Sequence, residues 1–144
     1  MKYFLLSFLL VSAIVVNGQK YVLLDPRMRD PVTSVSAVTA EEKFKGWFPV
    51  EKTMLPLFIR SLEDIQKKLA SGSPFVDVKD YAVGCVQFTG RAISIGGVQR
   101  LDYVIVATCD NMRIAMHLVD AKISSAHNIF YIKTWIRYIK SAKK

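Results

Sequence analysis

The chain has 144 residues, with 20 Lys and Arg against 12 Asp and Glu and a formal net charge of +8 at pH 7. That length fits one domain and can bury a real core, and two cysteines exclude a dense disulfide framework. The cation excess excludes an acidic, solvating chain and suggests an anionic partner, with simple solubility as the plain alternative.

Met1-Lys2 supplies a short positive start. Tyr3 to Val16 is apolar apart from Ser7 and Ser12, and Asn17-Gly18-Gln19 ends the run with a small residue. This is the pattern of a signal peptide over residues 1–18, too short for a typical transmembrane span. Cleavage after Gly18 leaves residues 19–144 and removes Lys2, so the charge falls to +7. No later run has eighteen consecutive apolar residues, so a soluble, secreted, extracellular protein without a transmembrane segment is expected.

Residues 19–52 read as an N-terminal extension. Asp25-Pro26 and Asp30-Pro31 favour extended or turn backbone. Thr39-Ala40-Glu41-Glu42 has capping-box spacing and predicts a short helix to about Lys45, ended by Gly46-Trp47-Phe48-Pro49.

A single α+β domain is expected over residues 53–144. Thr53 is positioned to cap a helix running to Leu69, with Pro56 tolerated in its first turn. Leu55, Phe58, Ile59, Leu62, Ile65 and Leu69 recur at helical spacing and form one core-facing stripe. Ser71-Gly72-Ser73-Pro74 ends it.

Phe75 to Thr89 reads as strand, and Gly96-Gly97 between β-branched runs reads as a hairpin turn. If Ile95 pairs with Val98, Cys85 faces Thr108; one bulge or a three-residue loop moves it opposite Cys109. Cross-strand neighbours have the Cα separation that a disulfide needs, so Cys85 and Cys109 are expected to bridge one hairpin. Asp110-Asn111 predicts a second tight turn and a third strand over about 112–123. Pairing Cys109 with Met112 sets Tyr103, Ile105 and Ala107 opposite Leu118, Met116 and Ile114 on one apolar face. Arg100, Asp102, Thr108, Arg113 and His117 then point the other way. The first strand conflicts: the register that buries Val86 and Phe88 parts the cysteines, and the register that joins them turns Gln87, Thr89 and Arg91 inward. A bulge at Gly90 would meet both demands.

Ser125 is positioned to cap a last helix from Ala126 to about Ala142. Ile129, Ile132, Ile136 and Ile139 form its apolar stripe, with Tyr131, Trp135 and Tyr138 on one flank and Lys133, Arg137 and Lys140 on the other. After Asp120 there are six Lys or Arg and no acid, a composition that suits both the macrodipole and an interfacial helix. The fold class expected is α+β: an antiparallel sheet of three to four strands, packed by an N-terminal and a C-terminal helix, with one hairpin disulfide.

His117 and His127 are the only imidazoles, and no serine or cysteine stands in a recognisable catalytic motif. No metal-ligand cluster, phosphate loop or paired acid–base carboxylate stands out. A monomeric binding protein is expected, with no enzymatic activity, cofactor, metal or nucleic-acid partner.

The chain resembles the anti-lipopolysaccharide factors of marine arthropods over roughly residues 54–142. The matching features are Tyr81-Ala82-Val83-Gly84-Cys85 entering the hairpin, Cys109 leaving it, and Ala121-Lys122-Ile123-Ser124-Ser125 leading into the last helix. The resemblance implies a small basic defence protein that binds lipid A phosphates and disrupts bacterial envelopes. It implies Arg91 and Arg100 in the hairpin as anion ligands. The chain departs from that family in carrying only Arg91, Arg100 and Asp102 as hairpin charges, and in having Ala107-Thr108-Cys109-Asp110 where the family has a tryptophan. Charge and periodicity therefore add Lys133, Arg137 and Lys140 on the last helix. The alternative expectation is a cystatin-like secreted protease inhibitor or small-ligand module, for which Val98-Gln99-Arg100-Leu101 is a poor match to the inhibitor hairpin.

Overall fold

A computed structural model describes residues 18–71 and 79–142. The expected signal peptide lies outside the described residues except for Gly18. So do the turn expected at 72–74 and the strand start at 75–78.

Tyr21-Val22-Leu23-Leu24 is a short apolar run that forms strand β1 (Tyr21–Leu24). It is the central strand of a three-stranded antiparallel sheet, between β2 (Thr33–Val35) and β3 (Phe48–Glu51). All four of its residues are buried, which a strand reaches only when it is covered on both faces. Helix α1 (Ala37–Lys43) links β2 to β3. Its N-cap is Ser36, whose Oγ accepts from the Thr39 N–H at 3.2 Å, three residues before the cap expected at Thr39. Residues 19–52, an extension by sequence, thus hold a sheet and a helix, and their buried side chains join the same core as the rest of the chain.

A 3-10 turn (Lys52–Met54) leads into helix α2 (Leu55–Ser71). Thr53 lies inside that turn and not at its N-cap, which is Glu51. All six residues of the expected stripe, Leu55 to Leu69, are buried. The second sheet is antiparallel with strand order β4 (Tyr81–Val83), β5 (Val86–Ile95), β6 (Val98–Cys109) and β7 (Met112–Val119). Helix α3 (Ser125–Ser141) closes the fold against α2 and β7. Its cap is Ser124, one residue before the expected Ser125. Among the described residues the fold is therefore α+β, with antiparallel sheets of three and four strands, three α-helices and one disulfide.

An aromatic chain joins the layers. The Phe48 ring on β3 lies 6.2 Å from Phe58 on α2, Phe58 lies 5.7 Å from Phe88 on β5, and Phe88 stacks on Tyr81 of β4 at 4.8 Å. Such ring pairs add about 0.5–1.5 kcal/mol each beyond their buried area. On α3 the buried stripe includes Trp135 beside Ile132, Ile136 and Ile139, whereas Ile129 is only half-buried. The expected flank residue Trp135 thus belongs to the core, where the Tyr131 and Tyr138 rings meet it edge-on.

The cysteine conflict resolves without a bulge at Gly90. The β5–β6 register is unbroken from Ile95–Val98 down to Val86–Ala107. Cys85 still reaches Cys109, with a Cα separation of 5.3 Å, because it is not in a strand. It occupies the two-residue turn between β4 and β5, where Gly84 takes φ +58° and releases Cys85 from strand alternation. A side chain at 84 would also meet Glu51 Oε1 and Met54 Cγ at 2.9 Å. Cys109 Sγ rests 4.0 Å from the Pro49 carbonyl oxygen, so the bridge is packed where the two sheets meet. The other expected register holds from Cys109–Met112 to Val104–His117. A bulge then intervenes: Tyr103 faces Val119 in place of Leu118, and Leu118 and Val119 are both buried.

Removing the bridge by Cys85→Ser and Cys109→Ser together should lower stability by about 3 kcal/mol, from loop entropy alone. Denaturant melts of both proteins measure this. A loss below about half a kcal/mol would mean that the fold does not use the bridge.

Candidate functional site

Strands β5 and β6 are longer than the core they cover. Phe88 and Gly90 are buried on β5, and Leu101 to Tyr103 on β6, but residues 91–99 are all exposed. The hairpin therefore projects beyond its packed base. From Arg91 to the Gly96-Gly97 turn it extends about 15 Å at strand rise. Pairing of Ile95 with Val98, Ile93 with Arg100 and Arg91 with Asp102 puts these six side chains on one face. The opposite face of the tip carries Ala92, Ser94 and Gln99. The tip is thus two-faced: Ile93, Ile95 and Val98 form an apolar side, 37%, 36% and 61% exposed, with Arg91 and Arg100 behind them.

The base of the hairpin is fixed by the loop between β7 and α3. The Arg100 guanidinium donates to the Ile123 carbonyl at 2.6 Å, and the Ala121 N–H donates to Asp102 Oδ1 at 3.1 Å. That loop covers Asp102, which was expected to face solvent and is only 8% exposed. His117 Nε2 lies 3.5 Å from the same carboxylate. Asn128, buried in the first turn of α3, holds the loop from below: its Oδ1 accepts from the Asp120 N–H, and its Nδ2 donates to the Asp120 and Ile123 carbonyls. The sequence signal for this clip was an Asn on an otherwise apolar helix face.

At the far end of the same strands, Tyr21 Oη donates to Asp110 Oδ2 at 2.5 Å and Lys20 Nζ reaches it at 3.4 Å. Burial first, then the bond to Asp110, pushes the Tyr21 hydroxyl well above its ordinary pKa. The Tyr21 hydrogen bond holds the Asp110 carboxyl below its ordinary range, and the Lys20 charge adds to this. These contacts tie the β6–β7 turn to β1, leaving the Gly96-Gly97 end as the free end of the hairpin.

The five expected anion ligands divide into different situations. Arg91 is exposed at the root of the tip and makes no ion pair among the described residues. Arg100 is half-buried, with one nitrogen on the Ile123 carbonyl. Lys133 and Arg137 are exposed on α3 and likewise unpaired among the described residues. Lys140 instead pairs with Glu63 of α2 at 3.2 Å, tying the two helices together. Sequence reasoning missed the apolar companions of these cations. Ile93, Ile95 and Val98 accompany the hairpin pair, and Phe130, 65% exposed, lies one helical turn before Lys133. Arg100 joins the hairpin to the loop just before α3, whereas Lys133 and Arg137 stand about 12 and 18 Å along the helix from its first residue. The structure thus offers two separate amphipathic surfaces.

Among the described residues no helix is long and apolar enough to cross a membrane. No protein family, curated protein or solved structure matches this chain.

Proposed function

We propose that this protein is exported and binds anionic lipid surfaces, bacterial lipopolysaccharide or anionic membrane, as a defence protein. The observation that carries this reading is the projecting hairpin with Ile93, Ile95 and Val98 on one face and Arg91 and Arg100 at its root. Contiguous apolar surface ringed by polar groups marks an interaction site. Apolar side chains backed by cations suit the lipid interface, where such elements sit about 5–10 Å deep. Ile95 and Val98 adjoin the turn and Ile93 follows within about 7 Å, so the apolar side matches that depth. The disulfide fits an oxidising compartment. The resemblance to anti-lipopolysaccharide factors points the same way, and the reading makes the chain a binding protein in place of an enzyme.

The test is a titration with lipopolysaccharide and with anionic vesicles at low and high salt. Binding should weaken as salt rises, since each cation near an anionic surface contributes about 1 kcal/mol and is screened. Lys133→Glu with Arg137→Glu should weaken it by about 2–4 kcal/mol on the same scale if α3 also faces the surface. Lys140 is left intact in this variant to preserve its pairing with Glu63. No salt-sensitive binding by the natural chain would overturn the reading, and inhibition of a cysteine-protease panel would then be the next measurement.

A further inference from the structure

The turn after β1 and the turn before β3 enclose a cleft of about 380 Å³, distinct from the hairpin. Arg27, Arg29, Lys45 and Trp47 line it, with Asp25 and Asp30. We infer that this cleft binds a saccharide unit that carries a phosphate or sulfate group.

The first wall is rigid. Asp25 accepts from the backbone N–H groups of Arg27, Arg29 and Asp30 at 2.9, 3.0 and 2.9 Å. Tyr138 of α3 clamps the same loop, its hydroxyl accepting from the Asp25 N–H and donating to the Asp30 carbonyl, both at 2.8 Å. Pro26 and Pro31 stiffen it further. The loop thus presents Arg27 and Arg29 from a fixed backbone, and less freedom is lost when a ligand arrives. Burial raises the Asp25 carboxyl, but its three N–H donors and the Arg27 charge outweigh that and keep it ionised below the ordinary range. Its two carboxylate oxygens are taken up by the N–H groups of its own loop.

The second wall is Lys45-Gly46-Trp47. Gly46 at φ +83° lets the chain turn sharply there, and the Trp47 N–H bonds the Phe44 carbonyl at 2.8 Å. Trp47 is half-buried and lines the cleft. Among the described residues, Arg27, Arg29 and Lys45 make no ion pair or side-chain hydrogen bond. Three cations against two acids leave the lining net positive.

An unpaired guanidinium pair suits a tetrahedral oxyanion, which arginine contacts through two parallel N–H groups. An indole wall suits a ring with one apolar face and polar edges. The volume falls in the range of small-ligand pockets, and the polar lining suits a hydroxylated ring over an aliphatic chain. A nucleotide also combines a ring with an oxyanion. The disulfide fits an oxidising, extracytoplasmic compartment, which favours a glycan ligand over a nucleotide, and the nucleotide is an arm of the test.

The test follows the Trp47 indole N–H resonance in the whole chain, with calorimetry alongside. The probes are N-acetylglucosamine 6-phosphate, N-acetylglucosamine 6-sulfate, unsubstituted N-acetylglucosamine and adenosine monophosphate. One or both charged sugars should shift the Trp47 signal saturably, with the neutral sugar and the nucleotide at least about tenfold weaker. Arg27→Ala, Arg29→Ala and Lys45→Ala together should weaken binding by at least about tenfold. All three side chains are exposed, so an unchanged melting temperature separates site loss from unfolding. A chain carrying Ile93→Ser, Ile95→Ser and Val98→Ser should bind the sugar normally, which keeps this site's fate separate from the hairpin's. Binding of the neutral sugar or the nucleotide as tight as that of the charged sugars, an unmoved Trp47 signal, or an unaffected triple alanine variant would each overturn the assignment.

Discussion

A chain carrying Ile93→Ser, Ile95→Ser and Val98→Ser is expected to bind anionic vesicles about thirtyfold to several hundredfold more weakly than the natural chain, while remaining folded with a modestly lowered melting temperature. The size comes from surface still available to bury. At 37%, 36% and 61% exposure, the three residues retain roughly one and a third side chains' worth of free area. Full burial of such a side chain contributes about 1.5–3 kcal/mol, so the set contributes about 2–4 kcal/mol at a lipid interface. Stability should fall less than a core truncation would lower it, because these side chains stand outside the core and lose only strand propensity and cross-strand contact. Vesicle flotation at fixed lipid composition, with thermal melts in parallel, separates the two effects. Equal binding by the variant would show that the hairpin tip is not the contact surface. The salt response would then fall to Lys133 and Arg137 on α3.

Phe48→Ala should destabilise the chain by about 3–5 kcal/mol, as a buried aromatic truncation does. In a domain of this size that lowers the melting temperature by about 10–20 °C. Phe48 is fully buried and its ring meets Phe58, the link between the N-terminal sheet and the hairpin sheet. The exposed Val38 in the same region gives the control: Val38→Ala should stay within about half a kcal/mol. A Phe48→Ala melt as mild as the control would mean that residues 19–52 do not share the core.

Several features were legible in the sequence because each is local. The six-residue stripe of α2 follows from helical period alone, and all six are buried. Gly96-Gly97 and Asp110-Asn111 set two turns, and those turns set the register of β5, β6 and most of β7. The disulfide followed from the same counting, although its geometry came from Gly84 and the turn that it allows, in place of the expected bulge at Gly90. Short strands are harder to read. Tyr21–Leu24 is apolar at every position, so it shows no alternation, and Phe48–Glu51 contains a proline.

What only the tertiary structure decided is which apolar surfaces find a neighbour. Ile93 and Ile95 look like Val86 and Phe88 in the sequence, yet the first pair is exposed and the second is buried. Ile93 and Ile95 lie on the sheet face opposite to Val86 and Phe88, and beyond Gly90 and Leu101 even the core-side face, with Ala92, Ser94 and Gln99, is left uncovered. Trp135 and Asp102 show the converse: a flank aromatic enters the core, and an outward acid is covered by the loop before α3. A sequence pattern records the chemistry that each side chain presents along its own element. Burial depends on the reach of other elements packed across it, so the tip's exposure, and with it the candidate site, emerged only once the chain was folded.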